Sequence, residues 1–194
     1  MPELTNLTGP GRIVYLMGAS GAGKDSLIRY AEKYFPGHRN FTITSRYITR
    51  EVHGDSHHDQ AIDEKEFHQR LRNDFFAFHW ESYGYYYGIS RQELDESLAR
   101  GLNCIVNGSR RYHTIARRLY PDLVTVLVRA DPGLRWLRLE LRRRDDPGEL
   151  ATRLKNSDNI FNLETKKLPH CHVIDNNGPL EAAGEKFISI LRRV

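Results

Sequence analysis

"GASGAGKDS", residues 18–26, is the stretch on which the fold turns. Gly18, four residues, Gly23 and Lys24 have the spacing of a phosphate-binding loop, and the chemistry needs each of those residue types. Glycines let backbone N–H groups converge on phosphate oxygens, and a lysine adds a point charge between the β and γ groups. The flanks supply the required context. "RIVYLM", residues 12–17, is continuous and β-branched enough for a buried strand, and the segment after Lys24 sets Leu27, Ile28, Ala31 and Tyr34 on one helical stripe. Strand, glycine loop and helix together predict a nucleotide-phosphate cradle made of Gly18, Ala19, Ser20, Gly21, Ala22, Gly23, Lys24, Asp25 and Ser26.

Asp25 stands where such loops normally carry the serine or threonine hydroxyl that ligates magnesium. A carboxylate beside a triphosphate is repelled unless a cation lies between them, so the residue points to a Mg²⁺ held by Asp25 directly or through water. Ser26 does not replace the hydroxyl, because one step round a helix turns a side chain by about 100°. The plainer reading of Asp25 is a first-turn acid favoured by the helix dipole.

Working outward, short apolar runs alternate with helical patterns, the signature of a parallel sheet with crossover helices. Strands are expected at 41–44, 102–107 ("LNCIVN"), 123–130 ("LVTVLVRA") and 172–176 ("HVIDN"), which with 12–17 makes five. Ser90 and Glu93 form a capping box that opens a helix ending at Gly101. Asp131-Pro132 starts a helix running to about Arg142, Pro147 and Gly148 mark a charged turn, and further helices are expected near 149–157 and from Pro179. Residues 46–88, beginning "RYITREVHGDSHHDQ", are polar and poor in periodicity apart from a short helix at 64–72, and read as an insertion. The expectation is one α/β domain over 1–194 with a core of 11–45 and 89–194, that insertion, and a lid at about 142–150.

The rest of the composition narrows the partners. With 39% hydrophobic and 28% charged residues, the chain has an ordinary globular balance. Its longest apolar runs fall far short of the roughly 20 residues that span a bilayer, and the N-terminus lacks a signal-peptide pattern, so a cytoplasmic protein without membrane partners is expected. A net charge of +4 favours anionic ligands. The arginines cluster at 135–144 and at Arg46 and Arg50 rather than forming a stripe, which fits rims of a phosphate pocket and argues against nucleic acid. Two cysteines, Cys104 in an apolar run and Cys171, read as free thiols. "HH" at 57–58 and "HCH" at 170–172 are too sparse and badly spaced for a zinc site.

The order of motifs carries a resemblance over nearly the whole chain. "GASGAGKDS", "RYITR" (46–50), "YYYG" (85–88), "VNGSR" (106–110) and the terminal "IDNNG" resemble the guanylate kinase superfamily of phosphate-loop kinases, and within it the ribose 1,5-bisphosphokinases of phosphonate utilisation. The resemblance implies a phosphate-loop kinase fold, a five-stranded parallel sheet flanked by helices, with ATP and Mg²⁺ as cofactors. It implies transfer of the ATP γ-phosphoryl to the 1-phosphate of ribose 1,5-bisphosphate, giving 5-phospho-α-D-ribose 1-diphosphate (PRPP).

By the same resemblance Lys24, Arg142 and Arg153 are expected to be catalytic and Arg138 to contact the nucleotide. Arg46, Arg50, Tyr86, Tyr87, Ser109 and Arg110 are expected to bind the acceptor. Guanylate kinases meet the N–H donors of guanine with a glutamate before the tyrosine motif and an aspartate after the central strand; here those positions look like Phe78 and Ser109. Phenylalanine accepts no hydrogen bond, and each donor left unpaired costs about 1 to 3 kcal/mol. The family's lid glycine and glutamate are Arg143 and Asp145 here, and of the lid arginines Arg135 and Arg143 read as solvated helix faces, Arg142, Arg144 and Arg153 less so. A nucleoside monophosphate kinase is the alternative activity. A non-catalytic guanylate-kinase-like binding domain is the other alternative, against which the retained Gly23 and Lys24 argue.

Overall fold

The computed structural model describes residues 10–35, 40–52, 58–141 and 171–194. Five strands form the principal sheet: β1 (Ile13–Gly18), β2 (Phe41–Ile43), β7 (Asn103–Asn107), β8 (Val124–Arg129) and β9 (Cys171–Asp175), in the order β2-β7-β1-β8-β9. The sheet is parallel, with β2 beside β7 and β8 beside β9 in parallel register. β1 and β8 are buried on both sides except at their last residues, which is why their sequences run apolar without alternation. The helices are α1 (Lys24–Tyr34), α2 (Glu64–Arg72), α3 (Arg91–Ala99), α4 (His113–Leu119), α5 (Pro132–Leu141) and α6 (Leu180–Leu191).

Residues 46–90 hold a second sheet that the polarity of the segment conceals. Its strands are β3 (Arg46–Ile48), β4 (Asp59–Ala61), β5 (Phe76–Ser82) and β6 (Tyr85–Ser90), ordered β4-β3-β6-β5. β5 and β6 make a hairpin closed by two residues, Tyr83 at φ 54° and Gly84 at φ 73°. Positive φ at both positions is what lets a two-residue turn match the twist of its strands. The tyrosine in place of the usual asparagine hides the signal, and "YYYGIS" lacks alternation because both of its faces carry aromatics. Helix α4 is likewise unannounced by its sequence.

Helix starts follow local chemistry. Asp63 caps α2 by accepting the Glu66 N–H at 2.7 Å. Ser90 Oγ accepts the Glu93 N–H at 3.3 Å, half of the expected capping box, while the Glu93 carboxylate accepts the Ser45 N–H at 2.9 Å, so this carboxylate also ties α3 to the turn after β2.

The described residues divide into two compact units: one gathers residues up to Val14 with Phe35–Asn107 and Arg111–Leu123, the other Tyr15–Tyr34, Gly108–Arg110 and the chain from Val124. The first has Ile48, Phe67, Phe78, Ile89, Leu94 and Ile105 at its centre; the second has Tyr15, Leu16, Leu27, Leu127, Ile174 and Phe187. In the second unit α6 lies on α1. Gly184 sits so close to Tyr30 that a Cβ there would meet its ring at 2.6 Å, and the Tyr30 hydroxyl donates to Glu185 at 2.7 Å. Two expectations are corrected. The α1 stripe buries Leu27, Ile28 and Ala31, but Tyr34 is 38% exposed because it lies in the last turn of the helix. Arg135 is not on a solvated face: it is 3% exposed, with its backbone packed beneath the glycine loop.

Candidate functional site

The loop between β1 and α1 is shaped by its glycines. Gly21 (φ 78°) and Gly23 (φ 96°) adopt left-handed conformations that a Cβ disfavours, and at Gly18 a Cβ would sit 2.4 Å from the Val128 carbonyl oxygen. The loop carbonyls are occupied by donors. Lys24 Nζ donates to Gly18 O at 3.0 Å and Ala19 O at 3.3 Å, and the Ala22 N–H donates to Ala19 O at 3.2 Å. Among the described residues the N–H groups of Ser20, Gly21 and Gly23 have no hydrogen-bond partner. Free amides at a helix N-terminus, backed by a lysine, make an anion site. Asp25 and Ser26 lie half-buried in the first turn of α1.

Behind the loop stand α5 and the end of β9. Arg138, expected from the resemblance to touch the nucleotide, donates from Nη2 to Asn176 O at 2.9 Å and from Nη1 to Gly21 O at 3.5 Å. Asn176 Nδ2 donates to Ala22 O at 2.8 Å. Asn177 and Asp131 exchange a pair of bonds, Asp131 N–H to Asn177 Oδ1 at 2.8 Å and Asn177 Nδ2 to Asp131 Oδ1 at 3.0 Å, joining the start of α5 to the same turn. The two asparagines of "IDNNG" therefore brace the cradle. A role for them could have been sought in the sequence, since consecutive asparagines between a strand and a helix suit side-chain-to-backbone bonding, but their partners lie far away in the chain.

Ser109 and Arg110 follow β7. The Tyr15 hydroxyl, deep in the same unit, donates to Ser109 O at 2.9 Å and accepts the Ser109 N–H at 3.0 Å. Gly108 is packed on the Tyr15 ring, where a Cβ would approach to 2.1 Å. One buried phenol thus fixes both ends of the Ser109 backbone, and nothing in "VYL" foretold it.

The remaining acceptor candidates lie in the first unit, on the second sheet or, for Arg50, just past the end of β3. Arg46 forms a two-pronged pair with Asp59, Nε to Oδ1 at 2.9 Å and Nη2 to Oδ2 at 2.8 Å, with the side chains only 13% and 5% exposed. Arg50 is half-exposed and makes one long bond, 3.4 Å to Glu51 O. The adjacent tyrosines point to opposite faces of β6, as strand geometry requires. Tyr86 stacks on Phe67 of α2 (5.4 Å, 28°), which is aromatic packing. Tyr87 stacks parallel to Trp80 (5.6 Å, 3°) with the Arg46 guanidinium 5.7 Å from its ring centroid, so these two expected acceptor residues meet. Phe78 is fully buried, edge-on to Tyr120 at 5.3 Å and Tyr112 at 6.0 Å. Tyr120 donates to Asp95, and burial, reinforced by that carboxylate, pushes its pKa up to about 12. This corner is filled and apolar, with no acceptor from Phe78 to offer a base.

Burial also explains two further shifts: the Cys104 thiol is pushed up to about 12, and His113 down to about 4 with the Arg117 charge adding to the effect. Arg142, Arg143, Arg144, Asp145 and Arg153, the lid at 142–150, the helix expected at 149–157, and His57 and His170 lie outside the described residues. Among the described residues no three His, Cys, Asp or Glu side chains assemble as a metal cage, and no helix is long and apolar enough to cross a membrane.

With this geometry in view, the chain can be set beside known proteins. It is 39% identical over 183 residues to the ribose 1,5-bisphosphate phosphokinase PhnN of Thiobacillus denitrificans, covering 93% of each chain. It is 36% identical over 182 residues to the protein of the same name from Psychromonas ingrahamii, covering 94% of this chain and 90% of that one. A third, from Pseudomonas paraeruginosa, is 40% identical over 172 residues, with 88% and 90% covered. Among solved structures, guanylate kinase from Anaplasma phagocytophilum superposes with a TM-score of 0.70 at 18% identity, covering 97% of this chain and 88% of that one. A gluconokinase from Sinorhizobium meliloti gives 0.52 at 20% identity, covering 95% and 93%. Both similarities are of fold alone. No family model matches the chain.

Proposed function

The chain belongs to the ribose 1,5-bisphosphate phosphokinase family, and from that premise we propose that it transfers the γ-phosphoryl group of ATP to the 1-phosphate of ribose 1,5-bisphosphate, releasing PRPP and ADP, within cytoplasmic phosphonate breakdown. The observation that carries this reading is the cradle at 18–26, whose Ser20, Gly21 and Gly23 amides have no partner among the described residues and whose carbonyls are held back by Lys24, Arg138 and Asn176.

A phosphate oxygen is already an anionic nucleophile, so the reaction needs no general base. What it needs is alignment of two highly charged groups and neutralisation of the charge that spreads over the moving phosphoryl. Lys24 leaves Gly18 and Ala19 to meet the β and γ phosphates, and the loop amides hold the donor in line. Arg50 binds the acceptor with Tyr87, while Arg46, engaged by Asp59, orients the Tyr87 ring. Ser109, held by Tyr15, and Arg110 supply further donors. Arg142, in a lid at 142–150, and Arg153 serve the transferring phosphoryl, and residues 46–88 form the acceptor-binding insertion.

A Mg²⁺ fits the cradle by the chemistry of its donors. No cage of three ligands exists among the described residues, and Mg²⁺ on ATP is commonly held by one or two carboxylates with phosphate oxygens and water. Asp25, in the first turn of α1, would be the carboxylate that holds it. The ion would neutralise phosphate charge there.

A coupled assay offering ribose 1,5-bisphosphate, GMP and ribose 5-phosphate as acceptors tests the reading. Turnover with the first alone is expected. Brisk phosphorylation of GMP, with the bisphosphate ignored, would overturn it in favour of a nucleoside monophosphate kinase.

A further inference from the structure

Asn176, just past the end of β9, is 2% exposed. Its Nδ2 donates to Ala22 O at 2.8 Å, and a Cβ at position 23 would come within 2.2 Å of that same nitrogen. Its backbone is tied as well: the N–H donates to Arg129 O at 2.8 Å, and the carbonyl accepts from Arg138 at 2.9 Å. The amide cannot turn over, because exchanging its two ends would bring two carbonyl oxygens together at hydrogen-bond distance. Held this way, Oδ1 is buried with no partner among the described residues. Buried amide oxygens are normally satisfied, so the bond to Ala22 is maintained although the other end of the side chain goes without.

The consequence for the loop follows from peptide geometry. The chain has no cis peptide among its described residues, and a trans peptide sets its C=O and N–H antiparallel. An Ala22 carbonyl drawn toward Asn176 therefore turns the Gly23 N–H to the opposite side, and that N–H has no partner among the described residues. Turned the other way, the carbonyl would present negative charge to a phosphate. Glycine at 23 is required twice, by its φ of 96° and by the nearness of the amide nitrogen.

We propose that Asn176 is a positioning residue for the nucleotide: its amide clasps the Ala22 carbonyl and so aims the Gly23 N–H at a phosphate oxygen before the nucleotide arrives. The proposal rests on the reading of 18–26 as a nucleotide-phosphate cradle and is independent of which acceptor is used.

The test compares wild type with Asn176→Asp, which keeps the shape but sets an oxygen against the Ala22 carbonyl, and with Asn176→Ala. Calorimetric titration with ADP, without acceptor, is expected to show at least a tenfold rise in Kd for both variants. KM for ATP should rise in parallel, while KM for ribose 1,5-bisphosphate and the thermal midpoint stay near wild type. ADP binding at wild-type strength in folded variants overturns the proposal, as does an equal loss toward both substrates together with a lowered midpoint, which marks a merely structural role. Should the variants fail to fold, glycine-¹⁵N-labelled wild-type protein decides. The Gly23 amide resonance must shift on ADP addition, and an unmoved one overturns the clasp. A wild type that binds ADP normally but ignores the bisphosphate would sink the acceptor assignment and leave this inference standing.

Discussion

The cradle and the second sheet handle charge in opposite ways. At 18–26 the polar groups belong mostly to the backbone, and side chains from Lys24, Arg138 and Asn176 hold the loop carbonyls so that amides remain available. In 46–90 the polar groups are side chains, and a largely buried cation, Arg46, is already engaged by Asp59 beside a stack of Tyr87 on Trp80. The first is a site whose chemistry is written in consecutive residues. In the second, a partner elsewhere in the chain decides whether an arginine can serve as a ligand or is a strut.

Five experiments press on that contrast. The largest effect is expected at Lys24: Lys24→Met should lower kcat on the order of 10³-fold while the fold survives, read by single-turnover kinetics and thermal melting. Next, Arg46→Ala leaves the Asp59 carboxylate buried and uncompensated, so it should cost about 3 kcal/mol of stability in urea unfolding. By contrast Arg50→Ala should raise the acceptor KM about tenfold with an unchanged unfolding midpoint; if both arginines behaved alike, the distinction between ligand and strut would fail.

A pH series sharpens the comparison further. Burial holds His113 of the first unit near pKa 4, below its ordinary 6.5. The unfolded chain then binds a proton that the folded chain refuses between those values, so stability falls as pH drops from about 6.5 toward 4. About 2 kcal/mol should be lost between pH 7 and pH 5, and His113→Phe should flatten that limb in urea melts at the two pH values. The smallest effect is expected for Tyr15→Phe. Removing its hydroxyl releases the Ser109 amide and carbonyl, costing about 1 kcal/mol and raising the acceptor KM a few-fold, with the ATP KM unmoved.

Legibility in the sequence followed the same division. "RIVYLM", the glycine loop and the stripe of Leu27, Ile28 and Ala31 were readable because strand, turn and helix each leave a local signature. The hairpin of β5 and β6 was not, since Tyr83 takes a positive φ without the usual asparagine and the strands carry aromatics on both faces. Arg135 shows the limit of charge reading. An arginine in a cluster looks solvated until the packing beneath Gly21 encloses it.

By itself the amino-acid order determined the parallel five-stranded core, the phosphate loop and the kinase family, because backbone conformation and nucleotide chemistry are set by residues adjacent in the chain. Only the tertiary structure decided that Asn176 and Arg138 back the loop, that Tyr15 holds Ser109, and that Asp59 occupies Arg46. Those bonds join residues between 13 and 154 positions apart, and hydrogen bonds form by proximity in space, which no local pattern of residue types encodes.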